Sequence, residues 1–243
     1  MLLLSCIFAL PVHSESLTVA TEGSYAPFSY IDEHGELAGF DVDIAHALCA
    51  EMKVACQVQA APWESLIPGL EAGRFDMVVA SMARTDERAL RVDFSDHYYR
   101  THSVFASRSG RFTVTSPEAL AGRRITTGRG TIQADFLQAN YPASTLLLAD
   151  DTAQALELLK QGEAELILSD TIHLLDFLES PEGRGFDYVG DPVASEMLKA
   201  EARIAVRKHN HALLARINEA LTSLRLNGRY DQINRKHLPF SVY

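Results

Sequence analysis

The 243 residues are 47% hydrophobic and 22% charged, a composition suited to a soluble chain that forms one large domain or two modest lobes. Thirty-two acidic side chains face 22 basic ones, for a formal net charge of −10. The acidic excess is spread along the chain with no acidic tail, and it argues against a nucleic-acid role.

Residues 1–10, MLLLSCIFAL, form an apolar run too short to span a bilayer but suited to the core of a signal peptide. Val12 and Ser14 stand at the −3 and −1 positions of a cleavage after Ser14, so residues 1–14 are expected to be a signal peptide. The run lacks a basic leader, and two other readings stay open. Leu3-Leu4-Ser5-Cys6 could be a lipobox with Cys6 lipidated, or the run could be a buried strand.

Residues 17–20 read as a first strand, followed by a rigid aromatic turn at Tyr25-Ala26-Pro27-Phe28 and a hairpin around His34-Gly35. Gly39-Phe40-Asp41-Val42-Asp43 leads into an amphipathic helix over residues 40–52. Cys49 and Cys56 flank its end, and without Cys6 they are an even pair. A disulfide is the expectation; a metal site would need two further ligands at suitable spacing. Residues 57–60 are a second strand, and residues 63–72 a helix stopped by Gly73. Residues 75–80 are a strand apolar enough to be buried on both faces.

Residues 124–127 read as a strand, Gly128-Arg129-Gly130-Thr131 as a tight turn, and residues 132–140 as a helix. The order helix, glycine, buried strand, small polar residue occurs twice, from Leu66 to Ser81 and from Ala155 to Asp170. Two copies suggest two similar lobes. Extended apolar stretches at residues 100–107 and 202–207 read as crossover strands between lobe one (residues 15–104 and 205–243) and lobe two (residues 105–204). A hinge with ligand between the lobes follows. The chain closes with helices over 212–226 and 230–236. The alternation of strands and helices predicts an α/β protein with largely parallel sheets.

No nucleophile elbow, His-Glu-x-x-His, P-loop or dinucleotide turn is present in the sequence. His209 and His211 lie two apart, on different faces if both are helical, and read as surface side chains. More telling is Ser81-Met82-Ala83-Arg84-Thr85-Asp86-Glu87-Arg88. Ser81 ends a buried strand and Thr85 is a good N-cap, which puts Arg88 in a first helical turn where α/β sheets bind ligands. A guanidinium there needs an anion: a ligand carboxylate, or a surface pair with Asp86, Glu87 or Asp93. The Gly128–Thr131 turn can seat a carboxylate on free N–H groups or be an ordinary connection. Asp170 is either a plain N-cap or a ligand group. Tyr25 and Trp63 can be core or a stacking pair, and Glu22 a turn residue or a cation partner.

The order and wording of these segments, above all from Tyr25 to Cys56 and from Ser81 to Arg88, resemble the periplasmic amino-acid-binding proteins of ABC importers. The lysine/arginine/ornithine- and histidine-binding proteins are the relatives suggested. The resemblance implies a two-lobed type II periplasmic-binding-protein clamshell with two crossover strands. It implies that Arg88, Thr131, the Ile132 backbone and Gln133 hold the ligand carboxylate, and that Asp170 takes the α-ammonium. Tyr25 and Trp63 would sandwich the side chain, Glu22 would pair with its cation, and Ser81 and Ala83 would line the site.

Ala80 and Ala83 depart from the pattern, since basic-amino-acid binders have serines there. Each loss removes a hydrogen bond of about 1 kcal/mol, which brings a substituted amine such as an opine into view. The expectation is a monomeric periplasmic protein, not an enzyme, without cofactor or metal, that delivers a basic L-amino acid to an ABC permease. A dehydratase similar to the periplasmic cyclohexadienyl dehydratases, and an amino-acid sensor for a signalling partner, are the alternatives.

Overall fold

A computed structural model describes residues 15–243; the expected signal peptide and Cys6 lie outside the described residues. The chain enters through β1 (Ser16–Thr21), a small ribbon of β2 (Ser24–Tyr25), β3 (Ser29–Ile31) and β4 (Leu37–Ala38), and helix α1 (Phe40–Met52). It continues through β5 (Ala55–Ala60), α2 (Leu66–Glu71), β6 (Met77–Val78), α3 (Asp86–Arg91) and the long β7 (Val92–Thr101). After His102 come β8 (Ser103–Arg108), β9 (Arg124–Gly128), α4 (Ile132–Asn140), β10 (Thr145–Ala149) and α5 (Thr152–Gln161). Then follow β11 (Leu166–Asp170), α6 (Thr171–Glu179) and β12 (Phe186–Val189), and the chain returns through β13 (Ala200–Arg207), α7 (His211–Leu226) and α8 (Arg229–His237).

These strands form two five-stranded sheets, in the orders β5-β1-β6-β13-β7 and β10-β9-β11-β8-β12. In each, four strands run in one direction and the fourth in the order, β13 or β8, runs against both of its neighbours. The sheets are therefore mixed, where the alternation of elements predicted largely parallel ones. The cause is the crossover: β8 and β13 each enter from the other sheet's side, so they run against the strands they join. The strands change sheet at His102 and between β12 and β13. The lobe division at 104/105 and 204/205 stays a proposal.

The internal repeat occupies equivalent places in the two sheets. β6 lies between β1 and β13, and β11 between β9 and β8, each preceded by a helix and a left-handed glycine, Gly73 or Gly162, with φ of +72° and +77°. One expected helix is split. Residues 63–65 form a 3-10 turn and α2 starts only at Leu66. Pro68 explains the break, because proline fits the first turn of an α-helix but not its interior.

Helix α1 buries Phe40, Ile44, Ala47 and Leu48, the stripe expected of an amphipathic helix, against α7 and α8. Asp41 and Asp43 in its first turn favour the helix dipole. It ends at Lys53, in the left-handed conformation with φ +57°. Cys49 and Cys56, seven positions apart, form a disulfide that ties this end to β5. Loop closure of that length contributes ~2.5 kcal/mol. Replacing both cysteines with serine should lower Tm by roughly 5–10 °C in scanning calorimetry; an unchanged Tm would show that the link adds nothing to stability.

Candidate ligand-binding site

The parallel strands of both sheets point their carboxyl ends at one cleft, the place where open α/β sheets bind ligands. β1 leads to Glu22, β6 to Ser81, β9 to the Gly128–Thr131 turn and β11 to Asp170. All ten residues singled out in the sequence line one cavity: Glu22, Tyr25, Trp63, Ser81, Ala83, Arg88, Thr131, Ile132, Gln133 and Asp170. Tyr99, Thr101, Asp151 and Thr152 line it too. The empty space there is about 690 Å³ when the open mouth is counted.

Glu22 is only 6% exposed. Its carboxylate accepts a hydrogen bond from the Ser24 hydroxyl at 3.0 Å, and no ion pair reaches it among the described residues. Burial pushes its pKa up to about 7 against the Ser24 bond, and Asp151 and Asp41 add to the rise. Next to it, Tyr25 stacks on Phe28 at 5.2 Å between ring centres, and Phe28 on Tyr99 at 4.9 Å. The turn that carries these rings includes a cis Ala26–Pro27 bond. Helix α1 holds this turn: the N–H of Phe40 donates to the Pro27 carbonyl at 3.0 Å, and that of Asp41 to Phe28 at 2.8 Å. The helix start thereby satisfies two of its orphan donors. Gly39 makes the approach possible, since a Cβ there would lie 2.3 Å from the Phe28 oxygen.

Asp41 is fully buried beneath the cleft floor. It accepts from the Tyr98 hydroxyl at 2.6 Å and from the Ser81 hydroxyl at 2.7 Å. Burial nevertheless raises its pKa to about 6. Ser81 sits in the left-handed region with φ +54°, and its N–H donates to the Tyr98 oxygen at 2.8 Å. The Ser81 hydroxyl is therefore engaged below the cavity it lines.

Arg88 lies in the first turn of α3, where Thr85 caps its N–H at 3.2 Å. Its guanidinium donates to the carbonyls of Ala83 at 2.7 Å and Gly130 at 2.9 Å, and lies over the Trp63 ring at 5.2 Å. Two of its five N–H groups are thus engaged and three remain. From the other lobe, Thr131 caps α4: its hydroxyl accepts from Ala134 N–H at 3.2 Å and donates to Gly128 at 2.8 Å. What this turn offers a carboxylate is then the first-turn N–H groups of Ile132 and Gln133. The Gln133 amide donates to the Ser103 hydroxyl at 2.9 Å.

Asp170 is 3% exposed and caps α6 by accepting from Ile172 N–H at 2.7 Å and His173 N–H at 3.4 Å. Burial still raises its pKa to about 7. Cap and cavity wall are the same residue.

Hydrogen bonds span the cleft at both ends. The Trp63 indole N–H donates to the Gly130 carbonyl at 3.1 Å, beside Arg88. At the other end the Thr152 hydroxyl donates to the Ser24 carbonyl at 3.1 Å. His173 Nδ1 lies 2.6 Å from the Ala26 carbonyl, its ring centre 4.8 Å from that of Tyr25. Burial lowers the His173 pKa to about 4, so the ring is neutral and carries its proton on Nδ1. Sequence reading missed His173, Asp151 and Thr152. Asp151-Thr152 reads only as a helix start, and a single histidine three residues beyond a cap carries no signal of its own.

The folded protein holds protons on Glu22 and Asp170 that the unfolded chain, with carboxyls titrating near their ordinary values of 4.5 and 3.8, releases. A carboxyl with a raised pKa contributes most at low pH, and stability is lost as pH rises through about 7. Glu22→Gln should therefore raise Tm above wild type at pH 8, with the gap closing as pH falls to about 4, below the ordinary carboxyl value, in the absence of added ligand. A variant no more stable at pH 8 would overturn the assignment of a strained carboxylate.

Comparisons with known proteins agree in one direction. The family profile of the bacterial extracellular solute-binding proteins, family 3, matches residues 17–240. The L-arginine-binding protein of Pseudomonas aeruginosa is 34% identical, with 98% of this chain and 94% of that protein covered. The lysine/arginine/ornithine-binding periplasmic protein of Escherichia coli is 29% identical over 97% of this chain and 91% of its own. Among solved structures, a Salmonella typhimurium periplasmic binding protein described as having high arginine specificity superposes with a TM-score of 0.86 at 30% identity. That match covers 93% of this chain and all of the other.

Proposed function

The chain belongs to the bacterial extracellular solute-binding proteins, family 3, and from that membership we propose that it captures a basic L-amino acid between its lobes for an ABC importer. The observation that carries the ligand class is the charge inside the cleft. Among the described residues Glu22 and Asp170 are buried without a protein cation, while Arg88 is the inner guanidinium. Arg129, the other cation of the lining, lies between Glu64 at 3.8 Å and Asp150 at 3.9 Å. A zwitterion with a second positive charge suits the buried part of that set, two carboxylates and one guanidinium against two cations and one carboxylate, and Asp151, the N-cap of α5, adds further negative charge at the wall.

In this reading Arg88 and the N–H groups of Ile132 and Gln133 take the ligand carboxylate, and Asp170 takes the α-ammonium. Glu22 takes the side-chain cation, and Tyr25 and Trp63 flank the aliphatic stem. Thr131 holds the turn, while Ser81 and Ala83 shape the floor. Ala80 and Ala83 offer no hydroxyl to the ligand. Arginine heads the order of ligands, followed by ornithine, lysine and histidine. Relatives named for arginine, for lysine, arginine and ornithine, and for histidine support this ligand class, and those named as periplasmic or as ABC transporter proteins support the periplasm and the permease partner. Delivery would be by a monomer.

The enzymatic alternative meets the same electrostatics. A dehydratase substrate such as prephenate is a dicarboxylate, and the second carboxylate would face Glu22, Asp151 or Asp170. The sensor alternative shares the ligand and differs only in the partner that reads closure.

Calorimetry against arginine, ornithine, lysine, histidine, glutamate and prephenate tests the proposal. Binding of basic amino acids and not of glutamate supports it; a response to prephenate or an opine alone overturns the ligand class. Arg88→Ala should weaken arginine binding by about 2–5 kcal/mol, because a desolvated carboxylate loses its charge partner. Unchanged affinity would remove Arg88 from the site. Affinity should also fall as pH drops from 8 to 5, since a cationic ligand must displace the protons that Glu22 and Asp170 take up near pH 7. A flat profile across that range would contradict the roles given to both.

A further inference from the structure

The histidines set aside in the sequence meet in the fold. Residues 208–210 turn the chain from β13 into α7, and this turn crosses the start of β7. His209 is not helical: it adopts φ +66°, in the left-handed region, which non-glycine residues enter only where surrounding contacts hold them. Asn210 then caps α7, its side chain accepting Leu213 N–H at 3.3 Å, and His211 is the first helical residue. Both side chains are at the surface, as expected, but they do not diverge as two helical neighbours would: a reversal at His209 sets the two rings 6.0 Å apart.

Asp93, the second residue of β7, completes the group. Its carboxylate accepts the His209 main-chain N–H at 2.8 Å and pairs with the Lys208 ammonium at 2.8 Å. Burial works to raise the Asp93 pKa, but Lys208 and the His209 N–H hold it below the usual carboxylate value, so the group is ionised. One imidazole nitrogen from each histidine and one Asp93 oxygen all lie within 4.8 Å of one another.

Two properties make this more than a chance gathering. The anchor is preset: Asp93 is half-buried and fixed by two hydrogen bonds, one to each oxygen, and each oxygen keeps a second lone pair for a further partner. The histidines are exposed and can turn their rings without moving backbone. Ligand atoms around a first-row metal stand roughly 3–4 Å apart, given bonds of about 2.0–2.2 Å, so a side-chain rotation closes the set. Two imidazoles and one carboxylate suit zinc, copper or nickel better than calcium or magnesium, which favour all-oxygen shells.

We propose that Asp93, His209 and His211 form a surface site for a divalent first-row transition-metal ion, remote from the amino-acid cleft. The ion would tie the start of β7 to the β13–α7 turn, with water completing its shell.

Titration of the tag-free protein with Zn2+ by calorimetry tests this, with Mg2+ as control and with metal-free Tm and arginine binding as checks on folding. The expected result is one Zn2+ per chain with a Kd on the order of micromolar and no Mg2+ response. Zn2+ affinity should be at least tenfold weaker in His211→Ala and lost in the double variant His209→Ala/His211→Ala. Both variants should keep wild-type arginine binding, which separates this site from the cleft. Zn2+ should raise the Tm of the wild type and not of the double variant. Absence of Zn2+ binding in the wild type, or equal binding in the double variant, overturns the site.

Discussion

Negative charge buried in the cleft is the constraint around which the rest of the molecule is arranged. Taking a carboxylate out of water costs free energy unless a cation or strong donors replace the solvent. Glu22 has one hydroxyl donor and Asp170 the N–H groups of a helix start, and neither has a cation partner among the described residues. Such sites persist only if the scaffold beneath is rigid. Here the scaffold is an aromatic column: Tyr25, Phe28, Phe40, Tyr98 and Tyr99 pack at centroid distances of 4.9–6.2 Å. The Tyr230 hydroxyl, donating to the Tyr98 carbonyl at 2.6 Å, ties the column to the last helix. Asp41 locks that column to the end of β6 through Tyr98 and Ser81.

The same frame explains why so few side chains are free to act. Thr131, Asp170 and Ser81 each serve local structure as well as lining the cavity. What remains for a ligand is largely backbone N–H, carboxylate and guanidinium, groups whose charge or dipole is fixed in direction. A site of this kind discriminates by charge balance more than by shape, because a mismatch leaves a desolvated charge without a partner.

Much of this was legible in the chain. α1 and α4 have the bounds that the periodicity and the glycine-rich starts indicated, because both carry an apolar stripe between clear stop signals. Arg88 was recognisable because Thr85 fixes its place in a first turn, and Asp170 because it ends an apolar run that repeats the Leu66–Ser81 plan. The antiparallel placement of β8 and β13 was not legible, since strand direction depends on a crossover joining segments about a hundred residues apart. Nor was the double duty of Ser81, whose partner Asp41 lies 40 positions away. His173 reaches Ala26 over 147 positions, a contact that no local pattern encodes. The break at Pro68 could have been read, as proline's place in a helix is a local rule.

The Gly130 carbonyl accepts from both Trp63 and Arg88 across the cleft, and Trp63 is the single tryptophan of the chain. Indole emission depends on the polarity around the ring and on its N–H partner. Opening the lobes would remove the carbonyl and admit water to one indole face, with no second tryptophan to mask the change. The molecule therefore carries a native optical reporter at the seam between its lobes, one that registers closure itself and not merely occupancy.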